Sequence, residues 1–175
     1  MKYALHLGST AIEVFNQLVS SQYDCIAVIG YAAATKAYKH GDIVFPSYAQ
    51  YSDANVPEGL GFTHLTKQYD LIGEDCPIYT SDSFVDKSFS ASIRKKFKEN
   101  SCLFDMESAA ICQVADDFNV PVLVIKMVSD IPEIDDDTAF SKFVSENTDF
   151  SSMVCYLNNM WCKYFLYSIN VYVYF

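Results

Sequence analysis

The chain has 175 residues, about one domain's worth. Twelve Lys plus Arg against 22 Asp plus Glu leave a net charge of −10, which repels phosphate backbones and anionic lipid and argues against nucleic-acid and membrane-surface roles. With 51% hydrophobic and 19% charged residues, and only six Gly and five Pro, the composition supplies a core and excludes disordered, collagen-like and low-complexity chains.

Residues 3–7 have the character of a short strand, and Gly8-Ser9-Thr10 provides a turn and an N-cap for a helix. In that helix Ala11, Ile12, Val14, Phe15, Leu18 and Val19 recur at helical spacing. Residues 25–29 form a continuous apolar run of strand length, the pattern of a strand buried on both faces. Residues 43–45 and 47–51 predict another strand, with Pro46 implying an edge or a bulge. Turn formers dominate 52–75, which predicts a long loop with some short structure. Strand character returns at 77–80, and residues 90–98 are helical and basic on one face. Residues 102–104 form a short strand leading directly into a helix over 107–118, where Ala110, Ile111, Val114, Ala115 and Phe118 repeat at helical intervals. Residues 120–128 carry the strongest buried-strand signal, and 138–165 are mostly helical. Strands alternating with helices predict an α/β fold of three layers, a central, mostly parallel mixed sheet flanked by helices, with 1–165 as a single domain.

Cys25, Cys76, Cys102, Cys112, Cys155 and Cys162 are scattered, with no Cys-x-x-Cys pair, and no secretory signal opens the sequence. Buried free thiols in a reducing cytoplasm are the expectation, not three disulfides. His6, His40 and His64 form no metal-ligand spacing with them, so neither a metal nor another cofactor is expected. Residues 151–175 are nearly uncharged, but Asn158, Asn159, Lys163, Ser168 and Asn170 interrupt them too often for a membrane span. The first part predicts an amphipathic closing helix. The aromatic tail, 166–175, is strand-like, and an edge strand, a partner contact and a non-native extension all fit it.

In open α/β sheets the ligand crevice lies outside the carboxyl ends of the strands. Four predicted strands end there in Gly30-Tyr31-Ala32-Ala33-Ala34, Ser81-Asp82-Ser83-Phe84, Asp105-Met106-Glu107-Ser108 and Ser129-Asp130. No dinucleotide fingerprint, P-loop or Gly-x-Ser-x-Gly elbow accompanies them. Singly, each has an ordinary reading. Asp105 or Ser108 would cap the next helix, Asp130 would be a turn acid, Met106 core filler and Phe84 a hydrophobic anchor. Glu133, Asp135, Asp136 and Asp137 would be a solvated loop and helix start. Their combination at successive strand ends favours a site.

Phe104-Asp105-Met106-Glu107-Ser108-Ala109-Ala110, then Phe118-Asn119-Val120-Pro121-Val122, then Lys126-Met127-Val128-Ser129-Asp130-Ile131 resemble the nucleoside phosphorylase/nucleosidase superfamily. The likeness is greatest to the 5′-methylthioadenosine/S-adenosylhomocysteine nucleosidases. Gly41-Asp42-Ile43-Val44, Tyr51-Ser52-Asp53-Ala54 and Ser81-Asp82-Ser83-Phe84 fit the same pattern in the same order, and the resemblance runs from about residue 7 to about residue 156. It implies a nucleoside phosphorylase-like fold and cleavage of the N-glycosidic bond of a purine nucleoside, releasing adenine. Asp130, assisted by Ser129, would protonate the purine at N7, which calls for a carboxyl pKa raised by burial. Glu107 would bind ribose hydroxyls and favour an oxocarbenium-like transition state. Met106 would line the ribose and Phe84 stack on the purine beside Val85. Asp105 and Ala32, the latter in the segment that passes beneath the substrate, complete the implied substrate-binding set.

The sequence also departs from the family pattern. It begins past the loop whose Glu activates the attacking water, so an N-terminally truncated fold is expected and no residue is assigned as that base. Tyr31 adds bulk beneath the substrate, Lys126 stands where Arg is common, and Asp105 replaces a Glu. Phosphorylases of the superfamily tend to carry a phosphate-binding Arg two residues before the glycine equivalent to Gly30; here that residue is Val28, which favours hydrolysis. A non-catalytic purine-nucleoside binder and a purine nucleoside phosphorylase are the alternatives. The family also implies a homodimer whose partner loop, near residues 55–64, closes the pocket, while the cytoplasmic setting rests on the thiols.

Overall fold

The computed structural model describes residues 10–54, 56, 61–73, 75–156 and 171–174; the strand expected over 3–7 lies outside them. The chain runs α1 (Thr10–Ser20), β1 (Cys25–Ala34), β2 (Ile43–Val44), β3 (Tyr48–Tyr51), a 3-10 turn (Thr63–Leu65), β4 (Tyr69–Asp70), β5 (Ile78–Thr80), α2 (Lys87–Phe97), β6 (Leu103–Asp105), α3 (Ser108–Asp117), β7 (Val122–Asp130), α4 (Ala139–Glu146) and β8 (Val171–Tyr174). The sheet order is β2-β7-β1-β6-β5-β3-β4, with β8 also paired to β1. The β1–β7, β1–β8, β3–β5 and β5–β6 pairs are parallel, and β1–β6, β2–β7 and β3–β4 antiparallel. The expected mixed, mainly parallel sheet is present.

Alternation along β1 and β7 builds the layers. Ile26, Val28, Val122 and Val124 face α1 and α3, packing on Val14, Leu18, Ile111 and Ala115. Cys25, Ala27, Ile29, Leu123 and Ile125 face the other way, onto Met153 and the partly buried Phe143 and Phe150. All nine residues of β7 are buried, so truncating Ile125 to Ala would cost about 2–5 kcal/mol.

The single strand expected around Pro46 is two strands in distant parts of the sheet. Proline has no N–H to give a ladder, and the chain leaves β7's edge there to join β5. Gly73 makes this crossing close: a Cβ on it would lie 2.1 Å from the Pro46 carbonyl oxygen. The helical stretch expected over 138–165 is likewise broken. Asn147 ends α4, its side-chain amide donating back to the Phe143 carbonyl (2.9 Å), and Asp149 accepts from the Ser151 N–H (2.8 Å) to start a new helical stretch at 151–156. Residues 157–170 lie outside the described residues, whereas 171–174 form a strand that runs parallel beside β1, in register with Cys25 to Val28, as their β-branched and aromatic composition predicts.

Cys25, Cys76, Cys102 and Cys112 are buried free thiols and Cys155 is exposed. Burial pushes the thiols of Cys25 and Cys76 up to about 12 and about 11 respectively, which keeps them protonated and unreactive. Among the described residues no helix is long and apolar enough to cross a membrane.

Candidate active site

The strand ends meet at a cavity of about 480 Å³ roofed by Phe140 and Val144 of α4 and by Phe150. Its wall includes the β1 segment from Val28 to Ala33, Ser83 to Val85, Asp105 to Glu107, Lys126 and Asp130. That volume suits a small molecule. A second cavity of about 330 Å³ lies on the far side of Asp130, Phe84 and Val85.

Asp130 is the last residue of β7. The β1–β7 register runs from Ile26↔Val122 to Ala32↔Val128 and then slips to Ala33↔Asp130, leaving Ser129 without a partner on β1. A slip of this kind re-aims the side chains beside it. The Ser129 hydroxyl lies 2.6 Å from Asp130 Oδ1 and 3.2 Å from the Ala32 carbonyl oxygen. One hydroxyl proton serves both acceptors, so Ser129 can turn to Asp130 whenever that group becomes a carboxylate. Among the described residues no hydrogen bond claims Asp130 Oδ2. Burial holds the Asp130 carboxyl above the usual range, against the lowering effect of the Ser129 hydrogen bond. The direction is the one that the sequence reading asks of a proton donor at this position.

Glu107 occupies the N-cap of α3 but makes no side-chain cap bond, so its carboxylate is available to the cavity it lines. Burial raises its pKa above the ordinary value and the neighbouring Asp105 adds to this, while the Lys126 ammonium pulls it down. The capping falls to Asp105, whose Oδ2 accepts from the Ser108 N–H (3.1 Å) and hydroxyl. Its Oδ1 accepts from Thr80 Oγ1 (2.7 Å), which itself accepts from the Ala109 N–H. Lys126 Nζ completes the set at 3.0 Å from Oδ2, with side-chain exposures of 3% and 1% for the pair. The structure therefore spends Asp105, one of the implied substrate-binding residues, on four donors at the cavity wall. Lys126 lies opposite Gly30 in the β1–β7 register, and a Cβ on Gly30 would sit 3.6 Å from its Nζ.

Phe84 and Met106 are exposed at 55% and 46%, whereas Val85 and Ala32 are buried. Large apolar side chains left open at a cavity mouth are what a stacking ligand would cover. Phe140 meets Phe84 edge-on at 5.8 Å. Tyr31 contributes to the wall but leans onto the α4 side, its hydroxyl donating to the Asn147 carbonyl and its ring 5.1 Å from that of Phe150.

The acidic run after Asp130 departs from its expected role as a solvated loop. Asp136 and Asp137 are exposed, but the Glu133 side chain is only 13% exposed, accepting from Arg94 Nη1 (2.7 Å) and the Lys36 N–H (2.9 Å). Asp135 is 17% exposed and pairs with His40 at 2.7 Å. These contacts span about 39 to 97 residues of sequence, and nothing local in the run signals them.

The mixed sheet between helix layers is the nucleoside phosphorylase-like fold that the solved structural neighbours share. Residues 74–155 match the family model described as the phosphorylase superfamily, as the motifs there indicated. The chain is 28% identical over 171 residues to a 5′-methylthioadenosine/S-adenosylhomocysteine nucleosidase of Buchnera aphidicola, covering 83% of this chain and 72% of that protein. It superposes on the Streptococcus pneumoniae 5′-methylthioadenosine/S-adenosylhomocysteine nucleosidase solved with a transition-state inhibitor (TM-score 0.68, 24% identity, 83% of this chain and 73% of that one). The Arabidopsis thaliana 5′-methylthioadenosine nucleosidase in its apo form gives a TM-score of 0.69 at 20% identity, over 79% of this chain and 62% of that one.

Proposed function

We propose that the chain hydrolyses the N-glycosidic bond of a purine nucleoside such as 5′-methylthioadenosine or S-adenosylhomocysteine, releasing adenine. The observation that carries the reading is the shared cavity: the Asp130 carboxyl, whose pKa burial raises, and the uncapped Glu107 carboxyl group line one space, with Phe84 open beside them.

Cleaving the bond leaves electrons on the purine and positive charge on the ribosyl ring. Asp130 supplies the proton at purine N7, and Ser129 then donates its hydroxyl to the new carboxylate. General-acid help of this kind is worth about 10²–10⁴-fold. Glu107 accepts from the ribose hydroxyls and faces the developing cation, Met106 lines the sugar, and Phe84 and Val85 hold the base. Asp105 acts by fixing Lys126 and the start of α3. Water is the acceptor we favour, not phosphate, because Val28 offers no charge and Lys126, the cation among the described lining residues, is paired to Asp105.

The setting fits a cytoplasmic protein with free thiols. The exposed Ile12, Val19 and Phe62 suit a homodimer, and the protein is expected to sediment at twice its chain mass.

One observation favours a second reading, a nucleoside binder without turnover. The described carboxyl groups lining the cavity are Asp105, Glu107 and Asp130, and each already has another task, so none is left over to activate the attacking water. Incubation with 5′-methylthioadenosine, followed by quantitation of free adenine, decides. Adenine release supports hydrolysis, and Glu107→Gln is then expected to lower it by about 10²–10³-fold. Heat of binding in calorimetry with no adenine formed supports the binder. Release that depends on added phosphate would replace hydrolysis with phosphorolysis.

A further inference from the structure

The segment that succeeds the acid is held from three sides. Asp135 Oδ2 accepts from the Ile131 N–H at 2.6 Å and lies 2.7 Å from His40 Nε2. The Asp135 N–H returns a bond to the Ile131 carbonyl (3.0 Å), closing residues 131–135 into one turn. His40 is itself anchored to β7, because the neighbouring Gly41 N–H donates to the Val128 carbonyl (2.8 Å) and the Val128 N–H to the Asp42 carbonyl (2.9 Å). Glu133, two residues away, is tied to Arg94 of α2 and to the Lys36 N–H.

The Ile131 N–H belongs to the peptide group joining Asp130 to Ile131. An acceptor on that N–H fixes the plane of the peptide and so the direction in which the Asp130 side chain leaves the backbone. We propose that Asp135 is a positioning residue for the acid: oriented by His40, its carboxylate locks the Asp130–Ile131 peptide and so aims the Asp130 carboxyl group into the cavity. This inference rests on the reading of Asp130 as proton donor.

The clamp also bears on the acid's own titration. The Asp135 carboxylate favours the protonated form of Asp130 and the His40 ring opposes it. Asp86 and Lys87 at the start of α2, with Glu133, Asp136 and Asp137, line the smaller cavity together with Asp130. Glu107 and the Lys126–Asp105 pair face it across the larger one. Asp135 and His40 differ from these in being joined to the acid's own peptide.

Three variants of the full chain separate aim from charge. Asp135→Ala removes both, and misaiming a catalytic group is expected to lower kcat by about 10- to 100-fold with KM little changed. Asp135→Asn keeps an oxygen for the Ile131 N–H but loses the charge, so kcat falls less while the basic limb of the pH–rate profile moves to lower pH. His40→Gln moves that limb to higher pH. A 13C titration of the Asp130 carboxyl in the ligand-free protein, assigned with Asp130→Asn, is expected to show the same two opposite movements. Circular dichroism and thermal unfolding establish that each variant is folded. An activity loss in Asp135→Ala no greater than its loss of folded protein, or an Asp130 titration unmoved in both charge variants, would overturn the proposal. If the wild-type protein releases no adenine, the hydrolase reading fails, and the carboxyl titration still decides whether the clamp acts on Asp130.

Discussion

Replacing Asp130 by Asn is expected to reduce adenine release by about 10²–10⁴-fold and, at the same time, to raise the melting temperature at neutral pH. The first effect comes from losing the proton donor while keeping its shape, since Asn still accepts from Ser129. The second comes from burial. The folded carboxyl titrates above its unfolded value because desolvation disfavours the charge, so the folded state holds its proton to higher pH than the unfolded chain does. The stability from that group is complete below the unfolded carboxylate range and is lost as pH rises through the folded pKa. Asn never ionises and escapes the loss. The gain in melting temperature over wild type should therefore be present at pH 7 and close as the solution is acidified toward the unfolded carboxylate value. Full turnover in the variant would remove Asp130 from the chemistry. A difference in melting temperature independent of pH would show that its charge is not strained by burial.

Replacing Lys126 by Met is expected to destabilise the fold by about 3–5 kcal/mol, the usual cost of removing one partner from a buried ion pair. Nζ lies 3.0 Å from Asp105 Oδ2 and both side chains are almost wholly out of water. Without the ammonium, Asp105 keeps its donors from Thr80 and Ser108 but holds a negative charge with no counter-ion. The double change Lys126→Met with Asp105→Asn removes both charges and should recover much of the loss. Urea denaturation of the two variants beside wild type measures this. Equal destabilisation by the single and double changes would mean that the pair is not coupled.

Local pattern carried most of the fold. The apolar runs at 25–29 and 120–128 became β1 and β7, because a strand buried on both faces has no room for polar alternation. The helical spacing after Glu107 became α3 with only its ends adjusted. What the pattern missed depended on long-range partners. Pro46 showed that the strand near it would be irregular, but not that its two halves join β7 and β5, since pairing partners lie outside any local window. The placement of the candidate residues was legible in the same degree. Ser129, Asp130, Glu107, Met106, Phe84, Val85 and Ala32 all reach or flank one cavity because strand ends are a property of the fold. Asp105 was legible as a carboxylate but not as the hub of Thr80, Ser108 and Lys126. The burial of Glu133 and Asp135 was hidden for the same reason: an acidic run reads as solvated until Arg94 and His40 are known to stand beside it.

The most direct test is a crystal structure with an adenosine analogue whose base is joined to ribose by an uncleavable carbon–carbon bond. The account predicts the analogue in the larger cavity, with its base position 7 within hydrogen-bond distance of Asp130, its ribose hydroxyls on Glu107 and its ring against Phe84. An analogue that touches only one of the two carboxyl groups, or that binds outside this cavity, would contradict it.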